Sequence, residues 1–333
     1  MSAEPLDICI YGAGAVGGSL AVRLAGAGAR VTVVARGAHA QAIRRDGLTL
    51  ISGSVRRTAR LPCPESTADI APQDVLVVAL KWPSVSDVAP TFSSLIKPGG
   101  LIVFAMNGIP WWFDAGGIPG MPARISDELD PGGILRRNIP PDSIVGAVVR
   151  SSNEVISPGV VENALPGQNA MTLGFPGGGS TPLLERFAAV LTAAGYSTKV
   201  TSNICEEIWI KTMLASSVGP VAALTGASLG DLISVESTRE VLSAMMHDGV
   251  AIGRALGFTI REDVEARLDA FRGKPVRPSM LQDFELGRAP EIENSILAFA
   301  AIAKTIRIHA PVTQTVAALV QMKRLNAISR RIS

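Results

Sequence analysis

The stretch "EEIWIKTMLASSVGPV" contains a single lysine, Lys211, within a long apolar tract. Read at helical spacing, this lysine shares one face with four apolar residues, Ile204, Ile208, Ala215 and Val218. A lysine on the apolar stripe of a helix has two interpretations. Its stem can lie along the core while its ammonium reaches water, or the ammonium can face a cleft and donate a proton to a ligand. The second interpretation requires a ligand site beside this helix.

Three glycines near the start of the chain have the spacing of a phosphate-binding loop. The segment "LDICIYGAGAVGGSLAVRLAGAGARVTVVAR" predicts a buried strand, a glycine turn, a helix and a second strand. Gly12 permits a tight turn, Gly14 lets the backbone approach a pyrophosphate, and Gly17 lets the helix pack closely on the strand. The amides and the dipole at the helix N-terminus favour anionic phosphates. The pattern predicts a dinucleotide site in this glycine loop, formed by Gly12, Ala13, Gly14, Ala15, Val16 and Gly17.

The end of the second strand indicates which dinucleotide binds. An NAD site usually carries an acidic residue about 20 residues after the glycines, where it holds the ribose hydroxyls. This chain has Ala35 and Arg36 there, and the next acidic residue is Asp46. A guanidinium can form paired hydrogen bonds with a 2′-phosphate. Arg36 therefore favours NADP(H), and the alternative is an ordinary surface arginine at a strand end.

Two further apolar runs, "DVLVVALK" and "GGLIVFAMNG", are typical of buried parallel strands, and polar residues, Lys81 and Asn107, lie at their ends. In open α/β sheets the ligand lies outside the carboxyl ends of the strands. We therefore expect Lys81 to reach a cofactor phosphate and Asn107 to hold the nicotinamide ribose or the substrate. The alternatives are a solvated lysine and an Asn-Gly pair that only forms a turn.

The elements that must position these residues fall into two groups. We predict an α/β fold with an N-terminal Rossmann-type doubly wound sheet over residues 1–201, followed by a C-terminal all-α domain over 202–333. Segment 110–142 is rich in proline and glycine and holds two adjacent tryptophans, so we expect it to form a wall or lid beside the site. Lys211 then lies on the first helix of the second domain and faces the cofactor at the domain boundary.

Composition excludes several other classes of protein. Of 333 residues, 47% are hydrophobic and 18% are charged, so the chain can bury a large core, and its net charge of +2 indicates no nucleic-acid surface. Cys9, Cys63 and Cys205 form no CxxC pair, which argues against a disulfide framework and a metal site. The start lacks a signal-peptide pattern, and no unbroken apolar run approaches the ~20 residues of a membrane span. We therefore expect a soluble cytoplasmic protein without a membrane partner.

With these residues assembled, the chain resembles the ketopantoate reductase (2-dehydropantoate 2-reductase) family over nearly its whole length. The resemblance rests on "GAGAVG", Arg36, Lys81, "NG" at 107–108, "IWIK" ending in Lys211, and "SMLQD" followed by "EIE". It implies a Rossmann domain joined to a helical domain, and the reduction of a small-molecule 2-oxo acid to a 2-hydroxy acid by NADPH. In this family the reaction belongs to pantothenate biosynthesis.

The resemblance also implies roles for individual residues. Lys211 is similar to the catalytic lysine that donates a proton to the substrate oxygen, and Asn107 to an asparagine that contacts both nicotinamide and substrate. Ser279 resembles the serine that holds the substrate, and Glu291 a glutamate near the nicotinamide. The residues themselves allow other interpretations: Ser279 with Gln282 has the pattern of a capping box, and Glu291 after a proline is typical of the first turn of a helix.

Three positions depart from the family pattern, which has asparagines four, eight and eighteen residues after the lysine. This chain has Ala215, Gly219 and Leu229 there. A site built to hydrogen-bond a substrate hydroxyl rejects analogues that lack it, whereas an apolar pocket discriminates weakly. These departures therefore bear on the identity of the substrate more than on the reaction.

Three functions remain open from the sequence. The leading one is NADPH-dependent reduction of ketopantoate or a similar 2-oxo acid. A second is a related dehydrogenase for an apolar or aromatic 2-oxo or 2-hydroxy acid, which Ala215, Gly219, Leu229 and the tryptophan pair favour. A third is a non-catalytic NADP(H) sensor with the helical domain as an interaction surface. The oligomeric state is open too, with a homodimer as one alternative.

Overall fold

The structure is a computed structural model that describes residues 4–116, 118 and 121–332 of the chain. Over these residues the chain forms two compact units. The first comprises Met1–Met106 and Gly132–Cys205, and the second comprises Asn107–Pro131 and Glu206–Ser333. The sequence predicts a single boundary near residue 202, whereas the chain also passes between the units at 106–107 and at 131–132. Segment Asn107–Pro131, expected in the first domain, is therefore part of the second unit.

Two sheets make up the strands of the first unit. In chain order the strands are β1 (Asp7–Tyr11), β2 (Arg30–Val34), β3 (Leu48–Ser52), β4 (Val55–Ala59), β5 (Gln73–Val78), β6 (Ile96–Phe104), β7 (Ile144–Arg150), β8 (Asn153–Ser157), β9 (Val160–Asn163), β10 (Ala170–Gly174) and β11 (Ser197–Val200). Over the described residues the larger sheet has the order β11-β10-β7-β6-β5-β1-β2, and the smaller has the order β4-β3-β9-β8. In the larger sheet β7 and β10 pair antiparallel, and the other neighbours pair parallel.

The helices of both units follow in the same chain order. They are α1 (Ala15–Gly26), α2 (Gly37–Asp46), α3 (Val85–Val88), α4 (Ala123–Leu129), α5 (Ile134–Asn138), α6 (Pro182–Ala193), α7 (Ile204–Thr225), α8 (Leu229–Ser234), α9 (Glu236–Ala255), α10 (Val264–Asp269), α11 (Ser279–Glu285), α12 (Ala298–Thr305) and α13 (Pro311–Ile332). A π-helical turn, Glu293–Leu297, precedes α12. The predicted α/β class with a helical C-terminal region is confirmed.

The strand order of the large sheet defines the edge at which a ligand can bind. β2 pairs with one side of β1 and β5 pairs with the other, so the order in which successive strands are added to the sheet reverses at β1. Tyr11 at the end of β1 lies level with Val34 and Val78, and Val78 lies level with Phe104. The carboxyl ends of four neighbouring parallel strands therefore form one edge. Open α/β sheets bind ligands outside this edge, at the point where the strand order reverses.

Helix α1 is packed between the two sheets, and two consecutive glycines allow it. A Cβ on Gly17 would collide with Gly12 O on the side of the large sheet, and a Cβ on Gly18 would lie 2.8 Å from Val161 Cγ2 on the side of the small sheet. The helix buries most of its length, including Leu20 and Leu24 at 0% exposure. Close packing on both sides fixes the N-terminus of α1 relative to the end of β1.

Helix α7 forms the centre of the second unit. Trp209 is fully buried, stacks on Phe299 with ring centroids 4.3 Å apart, and donates a hydrogen bond from Nε1 to Gly249 O of α9 at 3.0 Å. A Cβ on Gly249 would collide with Met213, so the glycine permits the close approach of α7 and α9. Helix α7 is long and apolar enough to cross a membrane, but 67% of its most apolar window is buried inside the fold. We therefore interpret it as a core helix.

The tryptophan pair in segment 110–142 belongs to the same core. Trp111 and Trp112 are 3% and 1% exposed, and the neighbouring Phe113 stacks on Trp209 with centroids 6.4 Å apart. Phe113 therefore packs in the core of the second unit, and the two tryptophan side chains before it are buried. Residues 117, 119 and 120 of the expected wall or lid lie outside the described residues.

Candidate active site

The glycine loop has the local geometry that a pyrophosphate requires. Gly12 has a φ of 104°, and a Cβ there would lie 2.7 Å from Ala79 O, so no other residue fits this turn. The amides of Gly12 and Ala13 donate to Val34 O at 3.0 and 3.1 Å, which fastens the loop to β2. At Gly14, by contrast, no heavy atom lies within 4 Å of the position that a Cβ would occupy. This open space beside the first turn of α1 fits the phosphates of a dinucleotide.

The remaining predicted loop residues form the first turn of α1. Ala13 is buried at 1% exposure, whereas Ala15 and Val16 are half-buried and begin the helix. Gly14 is the N-cap residue, and its carbonyl accepts a hydrogen bond from Gly18 N at 2.7 Å. The amides at this end of α1 thus adjoin the open side of Gly14.

Two basic residues follow the strands that flank the loop. Arg36 is exposed and comes two residues after the end of β2, and Lys81 is exposed and comes three residues after the end of β5. Burial raises the pKa of the Tyr11 phenol at the end of β1, and hydrogen bonding to Thr91 and the charge of Arg36 oppose the increase. Because β2 and β5 both end at the carboxyl edge that carries the glycine loop, both basic residues lie at that edge. No acidic residue separates β2 from α2.

A histidine that no sequence pattern identifies supports the glycine loop. The amide of Gly159, in the turn between β8 and β9, donates to His39 Nδ1 at 3.0 Å. Since Nδ1 accepts, the ring proton is on Nε2, which donates to Ala13 O at 2.7 Å. The neutral imidazole thus connects the glycine loop to the small sheet. Gly159 lies 120 residues from His39 in the chain, so no local pattern indicates this contact.

In the second unit, the structure brings together two of the predicted site residues. Lys211 Nζ donates a hydrogen bond to Asn107 Oδ1 at 2.8 Å. Lys211 is half-buried on α7, between the buried Ile208 and the exposed Ala215, and Asn107 is exposed. The ammonium therefore reaches the surface of the second unit beside a carboxamide, and a ligand there can contact both groups.

The turn that carries Asn107 is held by a second asparagine. Asn294 Nδ2 donates to Asn107 O at 2.9 Å, and Ile109 N donates to Asn294 O at 2.6 Å. Gly108 between them has a φ of 85°. Neither the Asn-Gly pair nor the "EIENS" segment indicates this contact in the sequence, because 187 residues separate the two asparagines.

Ser279 and Glu291 lie on other elements of the same unit. Ser279 is exposed and is the first residue of α11, whose N-cap is Pro278. The predicted capping box is wrong, because Gln282 Nε2 donates to Arg277 O at 3.0 Å instead of closing on Ser279. The interpretation of Glu291 as a first-turn acid is also not met, since this half-buried residue precedes the π-helical turn.

The three positions that depart from the family pattern have different surroundings. Ala215 is exposed. A Cβ on Gly219 would lie 3.5 Å from Met280 Cβ, so the first turn of α11, which carries Ser279, packs on α7 at this glycine. Leu229 is 2% exposed and is part of the core. Of the three positions, only Ala215 is exposed on the surface of α7, and its side chain is apolar.

Comparisons with known proteins place the chain in a family. Two family models match it: Ketopantoate reductase PanE/ApbA over residues 8–176, and Ketopantoate reductase PanE/ApbA C terminal over residues 203–324. A 2-dehydropantoate 2-reductase from Mesorhizobium japonicum is 34% identical over 319 residues, which cover 95% of this chain and 97% of that protein. The chain belongs to the ketopantoate reductase family. Its relatives support an oxidoreductase that acts on a CH–OH group, with 2-dehydropantoate 2-reductase-like activity.

Solved structures agree with this assignment. A crystal structure from Ralstonia solanacearum MolK2, assigned as a ketopantoate reductase, is 33% identical, has a TM-score of 0.86, and aligns over 97% of this chain and 99% of that one. D-mandelate dehydrogenase in a ternary structure with NADH and anilino(oxo)acetate is 20% identical with a TM-score of 0.81, covering 96% of this chain and 98% of that one. The second similarity establishes a shared fold.

Proposed function

We propose that the protein reduces a 2-oxo acid to a 2-hydroxy acid with NADPH, as a 2-dehydropantoate 2-reductase converts ketopantoate to pantoate. The observation that carries this proposal is the hydrogen bond from Lys211 Nζ to Asn107 Oδ1 at 2.8 Å. An ammonium on a mostly buried helix, oriented by a fixed acceptor, is a suitable general acid. Membership of a reductase family supports the same reaction class.

The cofactor would be held by the glycine loop, by Arg36 at its 2′-phosphate and by Lys81 at a phosphate. When bound, the nicotinamide supplies a hydride to the carbonyl carbon of the substrate. Residues of the second unit stabilise the negative charge that hydride transfer leaves on the substrate oxygen. Lys211 stabilises the developing negative charge and donates the proton.

Neighbouring residues orient the acid and the substrate. Asn107 Oδ1 holds the Lys211 ammonium, and the other end of the same carboxamide, Nδ2, is a donor for the ligand. In the proposed mechanism, the hydroxyl of Ser279 binds the substrate, and Glu291 lies near the nicotinamide. The roles of these last two residues rest on resemblance to the family.

Removal of Lys211 tests the proposal. We expect Lys211→Ala to lower kcat by about 10² to 10⁴, because a positioned acid is lost. The Kd for NADPH should barely change, since the first unit is proposed to bind the phosphates. Lys211→Arg should restore little, because guanidinium is planar and keeps its proton. Steady-state NADPH oxidation and fluorescence titration measure these quantities.

A matched control is Lys304→Ala, which removes an exposed lysine from the last turn of α12. It should leave kcat unchanged. If the kcat of Lys211→Ala on its best substrate stays within about threefold of wild type, the lysine stem only lies along the core while its ammonium reaches water. The same assay distinguishes an enzyme from a non-catalytic NADP(H) sensor, which would not turn over any 2-oxo acid.

Cofactor preference depends on Arg36. Arg36→Ala should weaken NADPH binding by about 1.5–3 kcal/mol, the value of a charged hydrogen bond, or roughly 10- to 100-fold in Kd. NADH has no 2′-phosphate and should lose little. Arg30→Ala, at the opposite end of β2, is the control. Equal losses for the two cofactors would contradict the assignment of NADP(H).

A second candidate substrate class is supported by the surroundings of α7. Ala215 is exposed and Gly219 packs on Met280, so these positions offer no hydrogen bond to a hydroxylated substrate. A protein of the same fold, D-mandelate dehydrogenase, was solved with an aromatic 2-oxo compound. We propose that apolar or aromatic 2-oxo acids are preferred over ketopantoate.

Restoring a polar group tests this preference. Ala215→Asn should shift the ratio of the kcat/KM values toward ketopantoate. Ala215→Leu, whose side chain has nearly the same shape as that of asparagine but no polar group, should not. Adding Gly219→Asn should require Met280 to move, since a Cβ there already contacts its side chain. A wild-type enzyme that is efficient and selective for ketopantoate in a panel of 2-oxo acids would rule out the preference.

A place in pantothenate biosynthesis goes with ketopantoate as the substrate, whereas a cytoplasmic location and a homodimer are proposed for either substrate class. A dimeric ketopantoate reductase from Staphylococcus aureus shares the fold. Helix α13 exposes four apolar side chains, and we expect a second copy to cover part of them: Leu319, Met322, Leu325 and Ile328. A monomer by light scattering at micromolar concentration would contradict the homodimer.

A further inference from the structure

A single residue forms hydrogen bonds to the turn at Asn107 on both sides of its glycine. Asn294 Nδ2 donates to Asn107 O at 2.9 Å, before Gly108. The carbonyl of Asn294 accepts from Ile109 N at 2.6 Å, after Gly108. A side-chain bond and a main-chain bond from the same residue thus define the path of the turn.

Gly108 and Asn294 fit each other in a way that no other residue at 108 allows. Gly108 has a φ of 85°, which disfavours any residue with a side chain. A Cβ at this position would also lie 2.6 Å from both Cγ and O of Asn294 and closer still to Nδ2. The glycine therefore permits the asparagine to approach the backbone, and the asparagine fixes the turn that the glycine forms.

The element that carries Asn294 is unusual. It lies in the π-helical turn Glu293–Leu297, which contains a non-helical residue, Ser295, with φ −120° and ψ −108°. Ser295 Oγ donates to Glu291 O at 2.6 Å, and Glu293 pairs with Arg324 of α13. Such π-helical turns are rare and occur frequently at functional sites. Asn294, the second residue of this turn, contacts Gly108.

Burial of Asn294 has a cost that stability alone does not explain. The residue is 1% exposed, and its Oδ1 is buried without a hydrogen-bond partner among the described residues. A buried amide oxygen without a partner is destabilising. An apolar residue at 294 would avoid this cost but would lose the bond to Asn107 O.

We propose that Asn294 is a positioning residue for the proton donor: by fixing the Asn107 backbone, it sets the carboxamide that holds the Lys211 ammonium. Asn107 is exposed, so its side chain has few packing contacts to restrict it. Because packing does not hold this side chain, the position of its backbone limits where Oδ1 can meet Nζ. This inference rests on the proposed role of Lys211 in catalysis.

The test measures kcat in four enzymes: wild type, Asn294→Ala, Asn107→Ala and the double variant. Asn294→Ala should lower kcat on the order of 10- to 100-fold, because a small misplacement of a catalytic group has this effect. The Kd for NADPH should not change. In the Asn107→Ala background the same substitution should have almost no further effect, since the two residues act in series.

Thr313→Val is the control for loss of a buried hydrogen bond in the same unit. Thr313 is 3% exposed and its Oγ1 donates to Asp248 Oδ2 at 2.7 Å. This variant should lose thermal stability and keep kcat. If Asn294→Ala does not fold, Asn294→Leu, which is close in size and also removes the Nδ2 donor, should show the same loss of kcat.

The outcomes separate this inference from the proposed function. No turnover by wild type, or a Lys211→Ala enzyme as active as wild type, contradicts the proposed function and this inference with it. If Lys211→Ala lowers kcat but Asn294→Ala does not, the inference alone is wrong. It is also wrong if the effects of Asn294→Ala and Asn107→Ala are additive.

Discussion

The hydrogen bond between Lys211 and Asn107 is the interaction on which the candidate site depends. A lysine side chain is long and flexible, and holding its ammonium at one place requires an acceptor that is itself fixed. Asn107 provides that acceptor from an exposed turn, and Asn294 fixes the turn through Gly108. Helix α7 fixes the backbone of the lysine, because Trp209, two residues before it, is fully buried in an aromatic core. Rigid packing and a polar turn together place one proton at a defined position.

The first unit contains a glycine loop whose geometry fits the approach of backbone to an anion. Gly12 and Gly17 allow the tight packing of β1, α1 and the residues after β5, and Gly14 leaves open space beside the helix N-terminus. His39 joins this loop to the small sheet through a neutral ring. That sheet therefore supports the glycine loop, and its strands are distant from the loop in sequence.

Much of this arrangement could be predicted from the sequence because it is local. The glycine loop, the strands beside it and the position of Lys211 on an apolar helix each depend on spacing within a few turns of the chain. The contacts of His39 with Gly159 and of Asn294 with Asn107 span 120 and 187 residues, and no periodic pattern encodes such pairs. For the same reason, the grouping of segment 107–131 with the helical unit was not predicted, since the Phe113 ring in this segment stacks on Trp209 of the distant helix α7.

Lys211 and Asn107 are proposed to act as one catalytic group. A double-mutant cycle on kcat/KM with Lys211→Ala, Asn107→Ala and the combined variant measures their coupling directly. Because the carboxamide acts in part through the ammonium, the double variant should be little worse than Lys211→Ala alone. If the two losses instead add in free energy within about 0.5 kcal/mol, the residues work independently, and the hydrogen bond between them is not the basis of the site.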